Sequence, residues 1–402
     1  MKILHTSDWH LGQYFMMKSR QSEHLSFLNW LIETVSSEGV DAVIVAGDIF
    51  DSTSPPSYAR KLYSDFIVKL QRTGCTQLII VSGNHDSVAV LNESKNLLQC
   101  LNVSVLAGLS EDLSDHLIVL KDKQQQDAML VCALPFLRAS DLVHSEFGLS
   151  ADQKQMNLQR AIQSTYQKIY QLAKDHDGSL PIVATGHLTA LGCAVSDSVR
   201  EIYIGTLSAF PASLFPKFDY IALGHLHRPQ KVQNNEHIQY CGSPIALSFD
   251  ESKQTKKVLM VQFELNKSLD VRALDIPCTQ KLQVISGDLE SIKQQLQTLK
   301  EATPKVTIWL EIKLKDRLYL SDVQTQLNDL VEGSTLEILK ISAPMINENK
   351  QWQTQHIDTL ETLTPQELFV HRLDAQDNLD ETQKLKLEVL FAQACADLET
   401  KS

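Results

Sequence analysis

No apolar stretch among the 402 residues approaches the roughly 18 that a membrane helix requires. The opening residues, Met1-Lys2-Ile3-Leu4-His5-Thr6-Ser7-Asp8, lack the apolar core and small-residue cleavage site of a secretory leader. The expectation is a cytoplasmic protein with no membrane association. The cysteines are seven in number (Cys75, Cys100, Cys132, Cys193, Cys241, Cys278 and Cys395) and never spaced C-x-x-C. That pattern fits reduced thiols better than a disulfide framework or a structural zinc site. The chain has no internal repeat, no low-complexity segment and no G-x-x-x-x-G-K-[ST] loop, so ATP chemistry would have to come from another chain. Basic charge is scarce too: 37 Lys and Arg against 49 Asp and Glu leave a net charge of −12. A free-standing reader of nucleic acid normally carries a basic face. If the substrate is a nucleic acid, the attraction must be local, come from bound metal, or be shared with a partner.

What is present is an ordinary globular composition, 43% apolar and 21% charged, at a length that predicts two domains or more. Through the first 265 residues, apolar β-branched runs end on glycine or on polar residues. Ile3-Leu4-His5-Thr6 leads into Asp8, Val40–Ala46 into Gly47-Asp48, and Leu78–Val81 into Gly83-Asn84-His85-Asp86. Pro181–Thr185 leads into Gly186-His187, and Tyr220–Leu223 into Gly224-His225. Such runs read as strands buried on both faces. Helical patterns over 23–32 and 57–70 lie between them. Alternating strand and helix predicts an α/β layered fold, in which ligands gather beyond the carboxyl ends of the strands.

The style changes after about residue 275. Leu282–Ile285 reads as a strand, and Leu289, Ile292, Leu296 and Leu299 form a helical stripe. Val306, Ile308, Leu310, Ile312 and Leu314 alternate with Thr307, Trp309, Glu311 and Lys313, which predicts a half-buried strand. A second helix over about 321–331 and a strand over 336–341 complete a small βαβαβ-like module. The expected division is 1–272 for a first domain, 276–345 for an α+β module, 346–361 for a linker and 362–402 for terminal amphipathic helices. Thr364-Pro365-Gln366-Glu367 has the form of a helix start.

The chemistry sits in Asp8-Trp9-His10, Gly47-Asp48-Ile49-Phe50-Asp51, Gly83-Asn84-His85-Asp86, Gly186-His187 and Gly224-His225-Leu226-His227. Each fragment alone is weak; five in this order, each at a strand end, are specific. They resemble the calcineurin-like metallophosphoesterase superfamily, with its motif order D-x-H, G-D-x-x-D, G-N-H-[DE], G-H and G-H-x-H. Residues at i and i+2 of an extended segment point the same way, so Asp8/His10 and His225/His227 can each present two side chains. Two divalent ions roughly 3.5–4 Å apart clamp a phosphoryl oxygen and acidify a shared water. With only Asp8 and Asp48 as anionic ligands, two such ions leave the site positive, which draws phosphate even to an acidic protein.

The resemblance implies a layered β-sandwich flanked by helices. One metal would be held by Asp8, His10, Asp48 and His227, the other by Asp48, Asn84, His187 and His225, with Asp48 bridging. His85 would steady the phosphate or protonate the leaving oxygen, and Asp86 would orient His85. For Asp51 and Asp86 a loop-capping role is as good a reading as a catalytic one. The ligand types suit manganese or iron and admit zinc, and the superfamily habit in nucleases favours manganese.

Within the superfamily, Asp51-Ser52-Thr53 in place of D-R-G and Asp86 in place of Glu lower the protein-phosphatase reading. The closer similarity is to the SbcD family of nuclease subunits. It is carried by His5–Gly12, Ala46–Asp51, Ser54–Arg60, Gly83–Ser87, Tyr240–Ile245 and Leu247–Glu251. It implies a metal-dependent DNA nuclease with double-strand exonuclease and single-strand or hairpin endonuclease activity, used in recombination and repair. The expected partners are DNA, an SbcC-type ATPase in a heterotetramer, bound by the terminal helices, and a second copy of the chain, through helices near 57–70 and 88–98. The middle module would cap DNA over the site. Two competing readings are a metallophosphatase acting on a small or protein-bound phosphate ester and a non-catalytic DNA-tethering protein.

Overall fold

The computed structural model describes residues 1–75, 77–143, 150–199, 209–264, 269–302, 306–315 and 320–343, and beyond them Lys384, Lys386, Leu387, Leu390 and Phe391. Met1–Ala343 forms one compact unit and Pro344–Ser402 a second. The linker expected at 346–361 lies outside the described residues, as do the terminal helices of 362–402 apart from those five positions, which are helical.

The apolar runs form strands and the periodic segments between them form helices. In chain order come β1 (Lys2–Thr6), a two-residue-per-arm hairpin of β2 (Tyr14–Phe15) and β3 (Lys18–Ser19), α1 (Gln21–Glu38), β4 (Ala42–Ala46), α2 (Ser57–Leu70) and β5 (Gln77–Val81). Two short helices, α3 (Val88–Asn92) and α4 (Lys95–Gln99), precede β6 (Val103–Leu106). All five residues of β4 are buried, as a parallel strand covered on both faces requires. α1 stops at Gly39, whose left-handed φ of 63° lets its N–H turn back to the Ser36 carbonyl.

The next stretch supplies β7 (Leu117–Lys121), β8 (Asp127–Cys132), α5 (Ala139–Leu142), α6 (Ala151–Asp177), β9 (Ile182–His187), β10 (Tyr220–Gly224), β11 (Gln230–Val232) and β12 (Asn235–Tyr240). The chain then returns to the first sheet with β13 (Lys257–Gln262) and β14 (Asp270–Asp275). The two six-stranded sheets have the orders β14-β13-β1-β4-β5-β6 and β11-β12-β10-β9-β8-β7. Their centres are parallel; antiparallel strands lie at both edges of the second sheet and at the β13–β14 edge of the first, whose other edge, β6, is parallel. Ile3, Ile44, Ile79 and Val81 of one sheet pack on Met129, Val131, Val183 and Ala222 of the other. α1 and α2 cover the outer face of the first sheet, and α6 covers the second. The result is an α/β/β/α sandwich. α6 is not among the expected helices, although its buried stripe (Leu158, Ile162, Tyr166, Ile169, Ala173) keeps three- and four-residue spacing within a polar sequence. A capping box between Ser150 and Gln153 starts it.

A third sheet follows: β15 (Lys281–Gly287), α7 (Leu289–Glu301), β16 (Ile308–Leu314), α8 (Leu320–Val331) and β17 (Leu336–Ser342), with strands parallel in the order β15-β16-β17. α7 and α8 cover one face through Ile292, Leu296 and Leu327. Strict alternation in β16 predicts an open second face, yet Trp309 and Glu311 are 7% and 2% exposed. The β2–β3 hairpin supplies the reason for Trp309. Phe15 of the β2–β3 hairpin stacks on Trp309 at 5.8 Å and an interplanar angle of 7°, and Phe249 packs beside them. The buried Arg20 guanidinium lies 5.1 Å from the Phe15 ring and 5.6 Å from the Trp309 ring. It is paired with Glu23 and donates to the Ala246 carbonyl at 2.8 Å. Glu311 is covered by Lys313 and Lys340.

Candidate metal centre

The carboxyl ends of both sheets open on the same place, and the loops there are bent sharply. Asp8 and His10 follow β1, Asp48 follows β4, Asn84 and His85 follow β5, His187 ends β9, and His225 and His227 follow β10. Asp8, His10, Asp48 and His225 have positive φ of 53°, 46°, 50° and 94°. Non-glycine residues in that region store strain, and such strain concentrates at functional sites. The glycines beside them permit the close approach. A Cβ at Gly47 would lie 2.1 Å from His187 Nδ1, and one at Gly83 2.1 Å from Asp48 Oδ1.

The side chains gather in overlapping groups. Ligand atoms of Asp8, His10 and His227 lie within 4.8 Å of one another, as do those of Asp8, Asp48 and His187, and of His10, Asp51 and His85. Asp48 Oδ2 stands 3.6 Å from His10 Nε2 and 3.3 Å from His187 Nε2, between the two groups. Asn84 Oδ1 is 3.0 Å from His187 Nε2 and 3.2 Å from His225 Nδ1. Thus all seven candidate ligands, and His85 with its ring 4.8 Å from that of His10, converge on one site.

The donor set fits divalent ions. His10 Nε2 and His225 Nε2 are buried without a hydrogen-bond partner, a costly state that a metal ion relieves. Charge balance points the same way. Burial raises the Asp48 carboxyl, but the charges of His187, His10 and His85 overcome it and hold the group well below its ordinary value. Burial opposes a charge on His187, yet the Asp48 carboxylate prevails and lifts that imidazole to about 9. His10 is raised as well, burial being outweighed by Asp51, Asp48 and Asp8. Burial takes His225 far the other way. The negative charge that favours a proton on His187 and His10 would favour a cation there in the same way.

Surrounding groups fix the rings. His187 Nδ1 donates to the Ala46 carbonyl at 3.0 Å, which leaves Nε2 toward Asp48. His10 Nδ1 meets Asp51 Oδ1 at 3.2 Å, and His85 Nδ1 donates to the Asp51 carbonyl at 2.7 Å. Asp51 therefore contacts both rings. The Asp86 carboxylate accepts the backbone N–H groups of Gly83 (2.8 Å), Phe50 (2.9 Å) and Ile49 (3.1 Å), tying the Asp48 loop to the Asn84 loop. Burial, and then the Asp48 charge, push Asp86 up to about 6 against those three bonds. Ser7 donates to Asp8, and the His225 N–H donates to Asp8 Oδ1 at 2.9 Å. Sequence reasoning assigned no role to Ser198, Glu251 or Lys256, which stand behind His227. Only the acidic residue in Leu247–Glu251 offered a signal, and its partners are 53 and 5 positions away.

Residues 1–229 match the calcineurin-like phosphoesterase family, and residues 278–377 match the Type 5 capsule protein repressor C-terminal domain. The chain is 46% identical over 393 residues to SbcD of the SbcCD nuclease from Escherichia coli strain K12, covering 97% of each chain. It is 38% identical over 259 residues to the protein of that name from Rhodobacter capsulatus, covering 62% of this chain and 64% of that one. It is 27% identical over 392 residues to the Staphylococcus epidermidis counterpart, covering 98% of each. Among solved structures, a dimetal phosphatase from Danio rerio covers 68% of this chain and 98% of its own at 13% identity and a TM-score of 0.39, too distant to add to the argument.

Proposed function

The chain belongs to the calcineurin-like phosphoesterase family and, within it, to the SbcD nucleases, and from that premise we propose that its site cuts DNA with two divalent ions, manganese being favoured. It is a metal-dependent nuclease subunit, a phosphodiester hydrolase. The single observation that carries the site reading is the set of unpartnered buried imidazole nitrogens, His10 Nε2 and His225 Nε2, beside Asp48. Asp8, His10, Asp48 and His227 would hold one ion; Asp48, Asn84, His187 and His225 would hold the other. Bound there, the ions supply Lewis-acid charge and an acidified water for in-line hydrolysis.

The chain's own residues supply the rest. His85 donates Nδ1–H to the Asp51 carbonyl, so its neutral ring carries the Nε2 lone pair and its charged ring an Nε2 proton. A group so placed can steady the phosphate and hand a proton to the departing sugar oxygen. Asp86 holds the two loops that carry Asp48 and Asn84 at a fixed separation. Double-strand exonuclease and single-strand or hairpin endonuclease activity, and use in recombination and repair, are part of this reading. So are an SbcC-type ATPase partner in a heterotetramer, a cytoplasmic location and a dimer through α2 and the α3–α4 segment. Among the described residues no helix is long and apolar enough to cross a membrane. Capping of DNA by the module of 276–345 and ATPase binding by 362–402 complete the proposal.

The test is cleavage of end-labelled linear duplex and hairpin DNA with manganese, with and without the SbcC-type ATPase and ATP, beside Asp48→Ala. Manganese-dependent cutting abolished in the variant supports the reading. No cutting under any condition, with turnover of a chromogenic phosphate monoester, would move the chain to the phosphatase alternative, which its nuclease relatives do not favour.

A further inference from the structure

Three of the four metal-site imidazoles present Nδ1 to a group that only accepts: His187 to a carbonyl, His10 to a carboxylate and His225 to the Asn84 carbonyl oxygen. His227 differs. Its Nδ1 meets the Ser198 hydroxyl, with Oγ at 2.5 Å. A hydroxyl can donate or accept, so by itself it leaves the tautomer undecided. The decision comes from behind. Ser198 Oγ is also 2.5 Å from Glu251 Oε1, and Glu251 is fully buried. Lys256 Nζ, itself buried, lies 2.5 Å from Glu251 Oε2 and also donates to the His227 carbonyl at 2.9 Å and to Ser243 Oγ at 3.0 Å.

Proton counting along this line has one solution. The Lys256 ammonium keeps Glu251 ionised, and an ionised carboxylate accepts only. Ser198 must then give its single proton to Glu251. Its oxygen is left to accept, and the groups it faces are the Ser196 hydroxyl at 3.2 Å and, much closer at 2.5 Å, His227 Nδ1, which must therefore carry the ring proton. The lone pair of His227 is thereby placed on Nε2, in the group with Asp8 and His10. A buried ion pair adds little net stability over apolar packing of the same volume, so this one is better explained by what it orients.

We propose that Ser198, Glu251 and Lys256 form a positioning relay that fixes His227 in the Nδ1–H tautomer and presents Nε2 to a divalent cation beside Asp8 and His10. The proposal rests on the reading of His227 as a ligand. It also makes an unusual demand on Glu251→Gln. A glutamine amide can donate to Ser198 Oγ, which turns the hydroxyl proton toward His227 Nδ1 and moves the ring proton to Nε2, where it blocks the metal.

The experiment uses the full chain and manganese alone. Binding is followed by calorimetry and by electron paramagnetic resonance for Ser198→Ala, Ser198→Thr, Glu251→Gln and His227→Ala. Nitrogen shifts of the metal-free, histidine-labelled protein report the tautomer. Losing a partner behind a metal ligand weakens binding about 10–100-fold. We expect that loss in Ser198→Ala for one of two ions, recovery in Ser198→Thr, and in Glu251→Gln the same loss with the proton moved to Nε2. Two ions bound with unaltered affinity in Ser198→Ala, and an unshifted ring in Glu251→Gln, overturn the relay alone. Unaltered binding in His227→Ala overturns the ligand assignment beneath it. If Glu251→Gln does not fold, the serine pair decides.

Discussion

At His85 the proposed site distinguishes holding a metal from using it. The ring is anchored by the Asp51 carbonyl, and Nε2 is not needed to complete either proposed ligand set. His85→Asn is therefore expected to lower single-turnover DNA cleavage by about 10²–10⁴ while leaving manganese affinity near wild type; loss of both ions in that variant would contradict the assignment. The neighbouring Asp86 shows where sequence runs out. Adjacency suggests that it orients His85, but its carboxylate turns back to collect three N–H groups from residues 3, 36 and 37 positions away. Asp86→Ala would leave those donors without an acceptor, at about 1–3 kcal/mol for each that stays buried. A lower melting temperature should then accompany lost metal binding, a pairing His85→Asn should not show. The convergence of the candidate ligands was legible because each lies at the end of an apolar run or in the loop that follows it. Protonation adds a further expectation. With His187 as a proposed ligand, metal entry needs its ring neutral, whereas the Asp48 charge favours a proton on it up to about 9, so binding is expected to release a proton. Manganese affinity measured by calorimetry should fall as pH drops from 8.5 to 6.5, by up to about tenfold per unit for each proton released; a flat profile would show that no such proton is displaced.

Elements were legible where a strand is apolar throughout, as in β4, or a helix has a broad apolar face, as in α2. α2 spans 57–70 as its pattern predicts, and the strand-end loops follow from buried parallel strands. Legibility failed where a partner distant in sequence supplies the burial. The second face of β16 reads as exposed because nothing nearby announces that Phe15 and Arg20, about 290 residues earlier, will cover Trp309. The β2–β3 hairpin starts four residues after His10 and reaches the third sheet through Phe15–Trp309 and the 2.5 Å Lys18–Glu337 pair. It thus links the ligand loop to the module. Trp309→Ala should cost about 3–5 kcal/mol, the range for truncating a buried tryptophan. Hydrogen exchange should show the loss as faster exchange in β15–β17 with β1 and β4 still protected. Equal loss of protection in both regions would mean that the third sheet and the sandwich unfold as one.

At the scale of the molecule, two quantities set how the chain meets its surroundings. Burial depresses His5 and His24 to about 3 each. At these two rings the unfolded chain therefore binds up to two more protons than the folded one between about pH 3 and the ordinary histidine value of about 6.5. Their contribution to stability is full above that window and falls as pH drops through it, by about 1.4 kcal/mol per unit for each ring. The other quantity is the net charge of −12. A protein that neutralises many phosphates with lysine and arginine loses affinity steeply in salt, with a slope of about −0.9 per phosphate. With 37 Lys and Arg against 49 Asp and Glu in the whole chain, its attraction for phosphate is expected to come mainly from the ions. For His85→Asn, which should bind without cutting efficiently, fluorescence anisotropy with a labelled hairpin should therefore show manganese-dependent binding that chelation abolishes. The salt slope should correspond to only a few phosphates. Tight metal-free binding with a steep slope would instead reveal a basic groove that composition conceals, and the ions would then serve hydrolysis without serving capture.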